Sequence, residues 1–239
     1  MCGRYVSTLS PADLATLFEA VDDSGGEARP GYNLAPTQPV PVVRVSRSQE
    51  GRVVTAARWG LVPPWSKDPG IGTRMINARS ETVATSRAYR SPFARKRCLV
   101  PADGWYEWRK LPGGGKQPYY MTAPQSAPLV FAGLWEHWGK GEESLMTCTI
   151  LTTDAIGELD RVHDRMPLLL TPDRYAGWLG EEGDLAPGEL LAPPDTELVS
   201  SLEVRPIGRA VGNVRNDGPQ LLEAVPDPEA PASGDATLF

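Results

Sequence analysis

The chain has 239 residues, which suits one substantial domain or two small ones. An apolar fraction of 41% and a charged fraction of 23% are those of an ordinary globular protein, while 24 Gly and 24 Pro predict frequent turns. No repeat period is present, and no apolar run approaches the roughly 20 residues of a bilayer span, so collagen, coiled coil and membrane helix are excluded.

Charge is unevenly spread. The net charge is −6, yet residues 179–239 hold 3 basic and 12 acidic residues; subtracting these from the totals of 24 and 30 leaves 21 and 18 for residues 1–178. Within that part, Arg58–Lys110 carries 11 basic against 4 acidic residues. A basic middle suits either local binding of a polyanion or a solvated surface with clustered charge. Cys2, Cys98 and Cys148 form no Cys-x-x-Cys pair, and two histidines, His137 and His163, supply no metal-ligand spacing. No metal and no disulfide is therefore expected. Met1–Tyr5 lacks the charged start and apolar centre of a signal peptide, which predicts a cytoplasmic protein without a membrane partner.

In chain order, Ser10-Pro11-Ala12-Asp13 opens a helix, with Leu14, Leu17, Phe18 and Val21 as its buried face. Asp22–Pro30 breaks the pattern. Strands are predicted over Val40–Ser46, Val53–Leu61, Cys98–Trp108, Tyr119–Thr122, Leu129–Trp135 and Met146–Thr153. Thr171-Pro172-Asp173 opens a second short helix, and Val199–Ile207 and Gln220–Val225 are late strand candidates. Residues 226–239, Pro-rich and acidic, are predicted to form a disordered tail after a domain spanning 2–225. Helices do not alternate with strands, so a single α+β domain with a barrel-like, mainly antiparallel core and peripheral helices fits best.

Chemistry centres on four places. Excision of Met1 before a small second residue would leave Cys2 with a free α-amine of ordinary pKa near 7.7–8.0 beside a thiol near 8.5. Such an aminothiol closes on an aldehyde to a thiazolidine, or attacks amides as N-terminal hydrolases do; a small packed apolar residue is the alternative. Asn77, Arg79 and Glu81 share one side if their segment is extended. Glu107 stands among Trp105, Tyr106 and Trp108, where desolvation would raise its pKa and suit it to proton transfer, unless an arginine pairs with it. His163 precedes an apolar stretch, whereas His137 has no supporting context and reads as structural. Aromatic residues interleave with the basic stretch as in proteins that hold single-stranded nucleic acid. Trp59 and Trp105 are expected in the core, and Trp65, after Pro63-Pro64, exposed.

Met1–Tyr5, Tyr32–Pro36, Arg58–Trp65, Asn77–Thr82, Arg97–Trp108, Phe131–Trp135, Thr152–Ala155, His163–Pro167 and Val214–Pro219 together resemble, in order, the SOS response-associated peptidase (SRAP) family. The resemblance covers about residues 2–225. It implies a single α+β SRAP domain that senses abasic sites in single-stranded DNA, or at single-strand/duplex junctions, and crosslinks to them through Cys2. Associated peptidase and crosslink-reversing lyase activities are implied as well. Cys2, Asn77, Glu107 and His163 match the family's chemical positions, Arg4, Arg79 and Arg165 its DNA-backbone arginines, and Pro36, Trp65 and Trp108 the residues flanking kinked DNA. No cofactor and a monomer, nucleoid-associated on damaged DNA, are the corresponding expectations. An N-terminal-cysteine amidohydrolase and a non-catalytic single-stranded nucleic-acid binder are the competing readings.

Overall fold

In the computed structural model, which describes residues 2–46, 48–181, 183 and 185–228, β-strands dominate and helices are short. The strands are β1 (Tyr5–Ser7), β2 (Ala20–Asp22), β3 (Gly31–Leu34), β4 (Pro39–Ser46), β5 (Gly51–Trp59), β6 (Asn77–Arg79) and β7 (Arg97–Ala102). They continue as β8 (Gly104–Lys110), β9 (Lys116–Thr122), β10 (Leu129–Trp138), β11 (Leu145–Asp154), β12 (Arg165–Pro167) and β13 (Glu203–Pro206). The helices are α1 (Pro11–Leu17), α2 (Ser80–Val83), α3 (Arg90–Arg95), α4 (Tyr175–Leu179), α5 (Pro187–Leu190) and α6 (Thr196–Ser201).

Five strands close a barrel. Neighbours β5-β4-β7-β10-β11 pair antiparallel, and a parallel pairing of β11 with β5 (Thr147 with Arg58, Cys148 with Trp59) completes the ring. A second sheet, β13-β9-β8-β1-β3, is antiparallel throughout and lays Tyr5, Trp105, Tyr119 and Met121 against the barrel's core cluster. There Tyr5 meets Trp59 and Phe131 edge-on at 5.2 and 6.0 Å, and Trp105 meets Phe131 at 5.9 Å. Each such aromatic pair contributes about 0.5–1.5 kcal/mol beyond its buried area. Outside the barrel, Leu14, Phe18, Phe93 and Trp178 cover Val43, Val54, Leu99 and Leu134. This is the α+β, barrel-centred and mainly antiparallel single domain read from the sequence.

Several boundaries differ, for identifiable reasons. The predicted Cys98–Trp108 strand divides at Asp103, whose Oδ2 accepts from the Thr8 amide (2.8 Å) and hydroxyl (2.5 Å), and the chain changes sheets there. Gly104 is required at the crossing, because a Cβ would stand 2.3 Å from the Met121 carbonyl oxygen. The capping box of Ser10 and Asp13 forms, but α1 ends at Leu17, and Val21 joins β2 with its side chain exposed. Residues 199–201 of the predicted late strand belong to α6, whose first turn Asp195 caps through the Glu197 amide. Pro219–Leu222 is a 3-10 turn, leaving only Ala224 bridged to Ile207. Of the predicted tail, residues 229–239 lie outside the described residues; Asp227 accepts a hydrogen bond from the Tyr119 hydroxyl at 3.0 Å. Among the described residues, no helix is long and apolar enough to cross a membrane.

Candidate functional site

Cys2 lies where β1 enters the second sheet, alongside β8: Tyr5 pairs with Trp105, and the Tyr106 amide donates to the Arg4 carbonyl at 3.0 Å. Continuing that antiparallel register brings Gly3 and Cys2 level with Glu107 and Trp108. β11 approaches from the other side, carrying β6 on one flank (Ile150 with Asn77, Thr152 with Arg79) and β12 on the other (Asp154 with Arg165). Four separate parts of the chain thus deliver Cys2, Asn77, Glu107 and the His163 turn to one end of the barrel.

The contacts among them are specific. Asn77 Nδ2 donates to the Cys2 carbonyl at 2.8 Å, and the Tyr89 hydroxyl holds the Asn77 carbonyl at 3.2 Å. Asn77 Oδ1 is buried and, among the described residues, has no hydrogen-bond partner. The Cys2 thiol is fully buried; burial, reinforced by the Glu107 carboxylate, pushes its pKa well above the ordinary thiol value. The free thiol therefore carries almost no thiolate at neutral pH, unlike the partly ionised terminal cysteine suggested by sequence, and a base must take its proton during reaction.

Glu107 is 2% exposed, and its pKa is raised to about 7, first by burial and further by the Asp164 carboxylate, against the pull of the positive chain terminus. The sequence reading placed Glu107 among three aromatics, but strand alternation separates them. Trp105 shares its face, whereas Tyr106 and Trp108 pack on the opposite side against Tyr120 and Ile207. The barrel core supplies the burial instead. His163 Nδ1 accepts from the Arg165 amide at 3.0 Å, and Asp164 Oδ1 lies 2.9 Å from the same nitrogen. One nitrogen cannot accept the amide proton and also donate to a carboxylate. Burial lowers the His163 pKa and Asp164 is 83% exposed, so the neutral ring with its proton on Nε2 is the consistent state.

The proposed DNA contacts are placed unevenly. Arg79 is exposed, and its side chain makes no hydrogen bond or ion pair among the described residues; it ends β6, and α2 begins at Ser80, so Glu81 leaves the extended face predicted for it. Arg165 is instead held by two carboxylates, Glu81 at 2.7 Å and Asp154 at 2.5 Å, and by the Thr152 carbonyl at 2.6 Å. Its Nε remains a buried donor without a partner among the described residues. Arg4 donates to Asn33 Oδ1 and to the Val211 carbonyl, both at 2.9 Å. Trp65 is 50% exposed as expected, with the Arg87 guanidinium 4.8 Å from its ring centre. Pro36 sits half-buried in the turn after β3, and Trp108 is half-buried on β8. Trp59 and Trp105 are fully buried, as predicted.

Sequence reasoning missed the supporting residues Arg87, Asp154 and Asn33. Asn33 is a buried hub: its Nδ2 donates to the Val211, Asn213 and Asn216 carbonyls while its Oδ1 holds Arg4. The available signal was a polar residue inside an apolar strand, Tyr32-Asn33-Leu34.

A buried thiol, a carboxyl that titrates near neutrality, a neutral imidazole and an orienting amide together can move protons around an electrophile at Cys2. The family model described as SOS response associated peptidase (SRAP) matches residues 1–214. The chain is 36% identical over 230 residues to "Abasic site processing protein YoaM" of Bacillus subtilis (strain 168), covering 94% of this chain and 98% of that protein. It is 33% identical over 265 residues to "Abasic site processing protein HMCES" of Gallus gallus, covering 93% and 77%. In fold it is similar to a crystal structure from Bacteroides thetaiotaomicron, with a TM-score of 0.80 at 24% identity over 94% of this chain and 100% of that one. The chain belongs to the SOS response associated peptidase family.

Proposed function

We propose that the protein processes abasic sites in single-stranded DNA, or at single-strand/duplex junctions, by capturing the open sugar aldehyde as a thiazolidine on Cys2. Removal of Met1 supplies the α-amine, either by ordinary excision or by the peptidase chemistry that the family's description names. The amine adds to C1′ and water leaves, giving an imine. The thiol then adds to the imine carbon while its proton passes through Glu107 to the nitrogen, so no oxidant or metal takes part. Glu107, titrating near pH 7, gives and takes protons during ring opening and imine formation. His163 assists at the sugar hydroxyl through Nε2–H. Asn77 fixes the Cys2 main chain, and its unpartnered Oδ1 orients the new amine. Run backwards through the same groups, the steps give slow lyase-type reversal. Arg4, Arg79 and Arg165 hold phosphates, and Trp65, Trp108 and Pro36 line the path of the kinked strand.

The observation that carries this reading is the convergence of Cys2, Asn77, Glu107 and His163 on one barrel end, in a chain whose relatives are named for abasic site processing. Incubation with a single-stranded oligonucleotide containing one abasic site, resolved on a denaturing gel, tests it. A heat-stable shifted band that Cys2→Ala abolishes is expected. Turnover of peptide substrates without a shifted band would favour an amidohydrolase, and DNA retention that survives Cys2→Ala with no shifted band would favour a simple binder.

A further inference from the structure

The barrel end away from Cys2 gathers a second polar group. Strand β7 leads into the Cys2 end after Ala102; its beginning, Arg97, pairs with Leu134 at the other end. There Arg44 of β4 follows the inward-facing Val42, and Thr55 of β5 stands opposite Val42 and shares its face. The Arg44 guanidinium lies 5.1 Å from the ring centre of Trp135, and that ring meets His137 edge-on at 5.7 Å. Arg44, Thr55, His137, Arg58 and Asp23 border one open cleft of about 500 Å³.

Two buried atoms in this group, Arg44 Nε and Thr55 Oγ1, have no hydrogen-bond partner among the described residues. Buried polar atoms are ordinarily satisfied, so a pair of them at an open cleft marks a place where a ligand's acceptors belong. Arg44 and Arg58 are matched in number by Asp23 and Glu27 on the lining, but neither acid hydrogen-bonds the two unpartnered donors. Asp23 reaches Arg44 only at 3.8 Å and is 43% exposed, Glu136 is buried against Lys96, and Glu27 lines the rim. Burial first, then Arg44 and Lys96, hold the His137 pKa below its ordinary value, with Glu136 opposing.

We propose that this mouth binds a phosphate group, with Arg44 Nε and Thr55 Oγ1 as buried donors and Arg58 and His137 as outer ones. A tetrahedral anion offers acceptors in several directions at once, which suits donors arriving from three strands. The site is separate from Cys2: Gly133 of β10 lies level with Ile150, the neighbour of Asn77, and His137 is four residues further, about 13 Å along the strand.

The phosphate is either a free anion or part of a nucleic-acid backbone, and the NMR signal of His137 in the full chain distinguishes them. The titrants are sodium phosphate, sodium chloride at matched ionic strength, and undamaged oligothymidylate. Phosphate is expected to move the His137 signal saturably and raise its pKa. Thr55→Val and Arg44→Lys, each shown folded by circular dichroism, should weaken that response at least about tenfold, the effect of one lost charge-assisted hydrogen bond. Oligothymidylate reproducing the shift, in competition with phosphate, assigns a nucleic-acid backbone; a response to phosphate alone assigns the free anion. A signal that moves no more with phosphate than with chloride, or a response that both variants retain, overturns the proposal.

Discussion

The side-chain amide of Asn77 donates to the main-chain carbonyl of Cys2 at 2.8 Å, joining β6 to the segment that precedes β1 across 75 residues of sequence. This contact fixes the Cys2 main chain without touching its sulfur. Asn77→Ala is expected to lower stability by about 1–2 kcal/mol through the lost hydrogen bond. It should slow single-turnover crosslinking at saturating DNA while leaving DNA affinity, read by fluorescence anisotropy, nearly unchanged. An equal loss in both would make Asn77 a DNA contact instead.

Glu107 yields a prediction with a defined sign. Its carboxyl is raised from the ordinary 4.5 to about 7, so between those values the folded chain holds a proton that the unfolded chain has released. Stability contributed at low pH is therefore lost as pH rises through this window and levels off above pH 7, a change on the order of 3 kcal/mol. Glu107→Gln should flatten this slope in urea titrations at pH 5 to 8. In crosslinking, the same variant should lose roughly 10²–10⁴-fold in rate, together with the wild-type inflection near pH 7. Normal rates in Glu107→Gln would leave the carboxyl a purely structural role.

Arg165 is already engaged by Glu81 and Asp154, so a phosphate must compete with two carboxylates. Glu81→Gln is expected to tighten binding of single-stranded DNA up to about fivefold, the equivalent of the roughly 1 kcal/mol of an exposed ion pair. Arg165→Ala should weaken it and reduce the salt dependence by about one counterion. Anisotropy titrations across 50 to 200 mM salt decide the matter; unchanged affinity in both variants would remove Arg165 from the DNA path.

Asn33 connects Arg4 to the loop at Val211–Asn216. Its replacement by Ala removes the donor to the part-buried Asn213 and Asn216 carbonyls and the acceptor for Arg4, and is expected to cost about 2–3 kcal/mol, lowering the melting temperature by roughly 5–10 °C in a chain of this size. Limited proteolysis should then open the chain near Asn213. Wild-type melting would show that water satisfies those carbonyls equally well.

Local signals were legible where the chain itself completes the interaction. Ser10 and Asp13 cap each other three residues apart, and the Val-rich runs of β4 and β5 sit where alternation places them. The parallel β5–β11 pairing that closes the barrel joins Trp59 to Cys148, and no spacing rule announces a contact at that distance. Glu107 shows the same limit at the site. Its sequence neighbours Tyr106 and Trp108 turn away from it, and the burial that raises its pKa comes from a core assembled elsewhere in the chain. The four chemical residues were readable as a set of ordered motifs; Glu81 and Asp154 lie in such motifs too, but nothing in the sequence pairs them with Arg165, 84 and 11 residues away.

Intact mass spectrometry of the purified conjugate with an abasic single-stranded oligonucleotide tests capture by Cys2 most directly. The expected mass is that of the chain without Met1 plus the oligonucleotide minus one water, stable without added reductant and absent for Cys2→Ala. A conjugate that retains Met1, or one that Cys2→Ala forms equally well, would contradict the thiazolidine.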